Sequence, residues 1–232
     1  MELFQGWGTE IARGLLVTIE IAILSLMLGF VWAILGALAQ LSSIGFLRAA
    51  GRGFTLVVRG TPELLIILIV YFGGTVALTG LVKLINPHAG YFEVPAMLAG
   101  VFALSLVFGG YAAEVLRGAF LAVPKGEIEA AHAFGMSAYT SFVHIQLPLM
   151  WRFALPGLGN NWISLIKDTS LISIVGLEEL MRITSMATSV NGEPFRFYLI
   201  AALIYLLLTM LNTAIVDALE RRAARGERKL AR

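Results

Sequence analysis

Apolar residues in this chain come in long unbroken runs, not in the alternating or every-third spacing of an element half-buried in a soluble core. Four runs carry no charged side chain: Ile21 to Ala39, Leu64 to Val82, Val94 to Ala113 and Phe197 to Val216. Each approaches the roughly 20 residues that cross a bilayer as a helix, so each predicts a membrane span. A fifth run, Phe153 to Ile166, is shorter and holds Pro156, Gly157 and Gly159 before continuing through Lys167 and Asp168 into TSLISIVGL. It reads as a broken span facing protein, because freed backbone groups and charge are tolerated only away from lipid. The pattern predicts an all-α integral membrane protein with five transmembrane helices, the fourth of them broken. The connecting segments Gly73 to Glu93 and Arg182 to Arg196 are too sparse in apolar residues for a separate folded module.

Composition agrees with lipid as the medium: 58% of the 232 residues are hydrophobic, with mean hydropathy +0.84. Charge then orients the spans. Arg48, Arg52, Arg59, Arg117, Lys125, Arg152 and the tail ERRAARGERKLAR fall on one side, against Arg13, Lys83, Arg182 and Arg196 on the other. The positive-inside rule puts the N-terminus outside and the C-terminus in the cytoplasm. MELFQGWGTE has no basic region ahead of the first run, so a cleaved signal peptide is not expected. The absence of cysteine excludes a disulfide framework, a thiol nucleophile and a thiolate metal site, and the isolated His88, His132 and His144 predict no metal centre. No linker or low-complexity stretch divides residues 1–232, which predicts one transmembrane domain.

One polar stretch interrupts the oil: EIEAAHAFGMSAYTSFVHIQLP, residues 127–148. It reads as helix, glycine turn, helix, with Pro124 ahead, Gly135 in a left-handed turn and Ser137 capping the second helix. A DNA-binding helix-turn-helix shares that skeleton but fails on charge. No lysine or arginine lies between Lys125 and Arg152, so nothing would neutralise phosphates, and no nucleic-acid partner is expected. A docking handle fits better: Ala130 and Ala131 allow close approach, Phe134 and Met136 are apolar knobs, and Glu129 can engage a partner's backbone or basic groups.

The stretch resembles the EAA loop of the permeases of ABC importers, with Glu129, Ala130, Ala131, Gly135, Ile145, Leu147 and Pro148 in every place of that pattern. The likeness extends through RGTPELL (59–65), RGAFLAVPKGEIEAA (117–131), ALPGLGNNW (154–162) and LIKDTSLISIVGLEEL (165–180) to the closing LERR. Together these resemble the Q-type membrane subunit of importers for histidine, arginine, lysine and the opines. The resemblance implies the type I importer permease architecture in a bacterial inner membrane, with a cytoplasmic coupling loop at about 124–142. It implies four partners: a second permease chain, either an M-type or a copy of this one, two ATPase subunits and a periplasmic binding protein. ATP and Mg are then held by the ATPase chains. In agreement, the sequence has no G-x-x-x-x-G-K-[ST] phosphate loop. Coupling residues would be Glu129, Ala130, Ala131, Phe134, Gly135 and Met136.

For the solute path, ionisable groups at membrane depth are the candidates. Glu63 follows Gly60, Thr61 and Pro62, which should interrupt a helix; Thr61 as N-cap with Pro62 first would equally make this an ordinary helix start. Lys167 and Asp168, with Thr169, Ser170, Asn160 and Asn161, form a polar stripe that could line a cavity for an amino acid's ammonium and carboxylate, although Lys167 and Asp168 could also neutralise each other. Glu114 and Arg117 are spaced to pair at the inner interface. Glu20 has no account beyond bonding between helices. An excess of acid favours a basic solute. Importers of other polar amino acids, glutamine among them, are the nearest competing reading. An ion-driven carrier or channel is more distant, for want of an inverted repeat, and no nucleophile–base pair or metal cluster suggests an enzyme.

Overall fold

A computed structural model describes residues 6–223; residues 1–5 and the basic tail beyond Ala223, including Arg225, Arg228, Lys229 and Arg232, lie outside the described residues. Among the described residues all regular structure is helical. In order these are α1 (Gly8–Leu41), α2 (Gly45–Gly60), α3 (Glu63–Leu68), α4 (Gly74–Ile85), α5 (Ala96–Ala122), α6 (Lys125–Ala133), α7 (Ala138–Ser141), α8 (Leu147–Asp168), α9 (Leu180–Asn191) and α10 (Pro194–Ala223). A π-helical segment, Ile69–Gly73, joins α3 to α4 as one rod.

Among the described residues, four helices are long and apolar enough to cross a membrane: Gly8–Leu41, Glu63–Ile85, Ala96–Ala122 and Pro194–Ala223. Three of them cover their uncharged runs and outgrow them at both ends, because flanking polar residues remain helical; the third in chain order begins at Ala96, two residues inside its run, after the N-cap Pro95. Gly73 therefore lies inside a rod and does not begin a connecting loop.

The expected break in the fifth segment is displaced. α8 runs without interruption through Pro156, Gly157 and Gly159, and regular α geometry ends only at Asp168, where Thr169–Val175 tighten into a 3-10 helix closed by Gly176 at φ +88°. Side chains cover the carbonyls released there. The Thr169 hydroxyl donates to the Ile166 carbonyl at 2.7 Å and the Ser170 hydroxyl to the Lys167 carbonyl at 2.7 Å. Helix ends need such partners.

The interruption ahead of Glu63 falls where the sequence puts it. Thr61 is extended, at φ −109° and ψ 136°, as the residue before a proline prefers. Pro62, not Thr61, takes the N-cap position of α3, without a side-chain cap bond. α2, which precedes this break, is amphipathic: Gly51, Thr55 and Val58 pack inward while Arg48, Arg52 and Arg59 stay exposed.

The core is built on α1 against α5, the most enclosed span, whereas α10 is the least enclosed. Small residues let these helices close up. A Cβ on Gly109 of α5 would stand 2.4 Å from Trp32 Cβ of α1, and one on Gly159 of α8 would stand 2.3 Å from Val216 Cγ1 of α10. Such approaches are how membrane helices gain packing when lipid offers no hydrophobic drive. A second cluster gathers Ile11, Leu180, Ile183, Ala187, Phe197 and Ile200, so Arg182 to Arg196 is mostly a packed helix and not a sparse connection.

Candidate functional site

Three elements converge on a chamber of about 350 Å³, within the size of small-molecule sites. Glu63 enters from the first turn of α3, where the Pro62 break aims it inward. Asn160, Ser164 and Asp168 come from α8 at four-residue spacing, the period that stacks side chains on one helix face, with Asn161 and Leu165 beside them. Val107, Phe108 and Tyr111 of α5 close the third wall.

The polar geometry is sparse and directed. The Tyr111 hydroxyl donates to Glu63 Oε1 at 3.2 Å, and the Arg59 guanidinium lies over the same ring, 5.8 Å from its centroid. The amide nitrogen of Asn161 is buried without a partner among the described residues. The chamber wall carries two carboxylates, Glu63 and Asp168, and among the described residues no lysine or arginine lines it.

Of the residues expected on the solute path, Glu63, Asn160, Asn161 and Asp168 meet in this chamber. Lys167 is exposed on another face of α8 and makes no ion pair with Asp168. Thr169 is fully buried and Ser170 is half-buried; their hydroxyls are occupied at the end of α8. Tyr111 and Ser164 were missing from the sequence reading. Ser164 had a signal, the four-residue spacing between Asn160 and Asp168. Tyr111 had none, since it sits in a long uncharged run. Glu20 lies on an exposed face of α1 without a partner among the described residues, while Glu114 pairs with Arg117 Nη2 at 2.8 Å.

The polar stretch forms the expected bend. α6 closes with paired bonds, Gly135 N to His132 O at 2.9 Å and Met136 N to Ala131 O at 3.0 Å, around Gly135 at φ +81°. This is the Schellman arrangement, in which a glycine takes the left-handed position after a helix. Ser137 then caps α7 by accepting from Thr140 N at 3.2 Å. Phe134 projects with 89% of its surface exposed, and Glu129, Ala130 and Met136 are exposed beside it. Ala131 is turned inward and is 6% exposed, so its small size serves packing within the chain.

The chain that builds this bend and this chamber is matched by a family model. The model for binding-protein-dependent transport system inner membrane components aligns with residues 25–225. The chain belongs to this family. Among curated relatives of this membrane component, the nopaline transport system permease protein NocQ of Agrobacterium fabrum is 44% identical over 96% of this chain and 94% of the relative. The histidine/lysine/arginine/ornithine transport system permease protein HisQ of Escherichia coli is 37% identical over 98% of this chain and 99% of its own. Among solved structures, an amino acid ABC transporter aligns with TM-score 0.79 and 29% identity, covering 93% of this chain and 95% of that one. The MetNI methionine ABC transporter shares the fold at TM-score 0.75 and 17% identity, covering 95% and 99%.

Proposed function

We propose that the chain is the permease subunit of an ATP-driven amino acid importer and that its substrate is a basic amino acid or an opine. The observation that carries the reading is the chamber: two carboxylates, Glu63 and Asp168, face a cavity with no basic group. Charge of one sign in a low-dielectric site selects the opposite sign in its ligand. The names of the relatives, which transport nopaline or histidine, lysine, arginine and ornithine, point the same way.

In this reading residues 1–232 form one permease domain. α8 is the fourth of five spans: Asn160 to Asp168 hold the solute at membrane depth, and the end of regular α geometry at Asp168 gives that wall a place to move. The chain spans the bacterial inner membrane with the N-terminus in the periplasm and the bend of α6 and α7 in the cytoplasm. A second permease chain completes the path, a periplasmic protein delivers the solute, and two ATPase chains bind ATP and Mg. Glu129, Ala130, Phe134 and Met136 seat on the ATPase, while Gly135 sets the bend that carries force. Closure of the ATPase pair then moves α6, and through it α5 and α8.

The test is ATPase stimulation in liposomes holding the two permease chains, the ATPase and the binding protein, with basic, acidic and neutral amino acids supplied in turn. Stimulation by basic amino acids above the others is expected. Stimulation by neutral or acidic amino acids alone would overturn the substrate assignment.

A further inference from the structure

Tyr111 belongs to two cavities. The second is a more open cavity of about 820 Å³ lined also by Gln40, Arg52, Thr55, Arg59, Glu114 and Arg117. Much of its polar lining is already engaged. Glu114 accepts from Arg117 Nη2 at 2.8 Å, from Arg117 Nε at 3.3 Å and from the Thr55 hydroxyl at 3.1 Å. What is left over is dominated by donors. The guanidinium groups of Arg52 and Arg59 have no carboxylate partner among the described residues, and Gln40 Nε2, on a residue only 6% exposed, faces Glu114 without closing a hydrogen bond to it.

Donors that converge without an acceptor select an anion, and the planar fork of arginine fits a carboxylate better than a point charge does. The acid chamber that Tyr111 also lines has the complementary defect. A basic amino acid carries two cationic groups and one carboxylate; Glu63 and Asp168 answer the cations, and nothing charged in the chamber answers the carboxylate. One cation, Arg59, stands over the Tyr111 ring, 5.8 Å from its centroid.

We propose that the cavity of Arg52, Arg59 and Gln40 is a carboxylate site on the release side of the path, and that the solute leaves carboxylate first. Tyr111 is the partition: its hydroxyl holds Glu63 until the solute's cation replaces that bond, and its ring seats the arginine that receives the departing carboxylate. This rests on the amino acid reading of the chamber and on the orientation that places α2 at the cytoplasmic end.

Equilibrium binding of arginine and of agmatine, its decarboxylated counterpart, to the intact permease–ATPase assembly tests it. The assembly is held in phosphatidylcholine nanodiscs, with and without phosphatidylglycerol. Arg59→Gln and Arg52→Gln are expected to weaken arginine on the order of tenfold, the loss of a hydrogen bond between charged groups, and to leave agmatine unchanged. Arg59→Lys, which keeps the charge but not the fork, is expected to give a smaller loss for arginine alone and covers the case in which the glutamine variants do not assemble. Equal losses for both ligands, or no loss, would overturn the carboxylate site. A loss seen only with phosphatidylglycerol present would also overturn it, assigning the arginines to a lipid phosphate. Glu63→Gln separates the two readings: it is expected to weaken both ligands, and if it weakens neither, the chamber assignment itself fails.

Discussion

Thr18 and Glu179, 161 positions apart in the chain, share a hydrogen bond of 3.4 Å in a site closed to solvent. Glu179 also accepts from Met181 N at 2.9 Å, Arg182 N at 2.8 Å and the Tyr205 hydroxyl at 3.2 Å, while Thr18 Oγ1 accepts from Leu180 N at 3.1 Å. One acid therefore caps α9 and ties it to α1 and α10. Glu179→Ala is expected to cost about 2–4 kcal/mol, from the lost cap and the donors left buried without acceptors. Glu179→Gln, which keeps the shape and one acceptor oxygen, is expected to lose less. Thermal unfolding in detergent measures both; equal stability of wild type and Glu179→Ala would contradict the account.

Gly159 sets how closely α8 approaches α10. Its substitution by valine puts a carbon where Val216 Cγ1 already stands, 2.3 Å away, and neither helix backbone can retreat without opening Trp162 Nε1 to Asn212 Oδ1, a bond of 2.9 Å on the same pair of helices. Overpacking of this kind costs about 1–3 kcal/mol. Gly159→Val is expected to lower the unfolding midpoint, and Gly159→Val with Val216→Ala to recover part of the loss.

Phe134 separates docking from folding. At 89% exposure it supports little of its own chain, so Phe134→Ser is expected to change stability by less than about 0.5 kcal/mol. It is expected to reduce recovery of the ATPase partner with the permease in pull-down. Full recovery of the ATPase would remove Phe134 from the docking surface.

Gly135 and Glu129 test transmission. Gly135→Pro cannot hold φ +81°, and Glu129→Lys reverses an exposed charge on the same bend. Both variants are expected in the membrane at wild-type amounts, hydrolysing ATP with little uptake. Wild-type uptake in reconstituted vesicles from both would count against the role of the bend.

The sequence made the four uncharged runs readable because a span advertises itself by length alone. The bend at Gly135 was readable because Pro, Gly and Ser each mark one position of it. α2 and α9 were not, since their apolar residues are interleaved with arginine, serine and threonine and become a buried face only once α1, α5 and α10 are beside them. The break near Asp168 was displaced because proline inside an enclosed helix can be tolerated, whereas the hydroxyls of Thr169 and Ser170 pull carbonyls out of the α pattern. Four of the six polar residues on the chamber wall, Glu63, Asn160, Asn161 and Asp168, announced themselves as polarity at membrane depth. Tyr111 did not, because a tyrosine in an apolar run looks like packing until the acid it touches, 48 positions away, is folded against it.

In the proposed function, the carboxylates of Glu63 and Asp168 together recognise a basic solute. ATP-driven uptake of labelled arginine by proteoliposomes holding the complete assembly, comparing wild type with Glu63→Gln/Asp168→Asn, tests this. A fall in uptake of at least about tenfold at low solute concentration, the loss of charge-assisted bonds, with basal ATP hydrolysis retained, is the predicted result. Uptake equal to wild type across the concentration range would contradict the account.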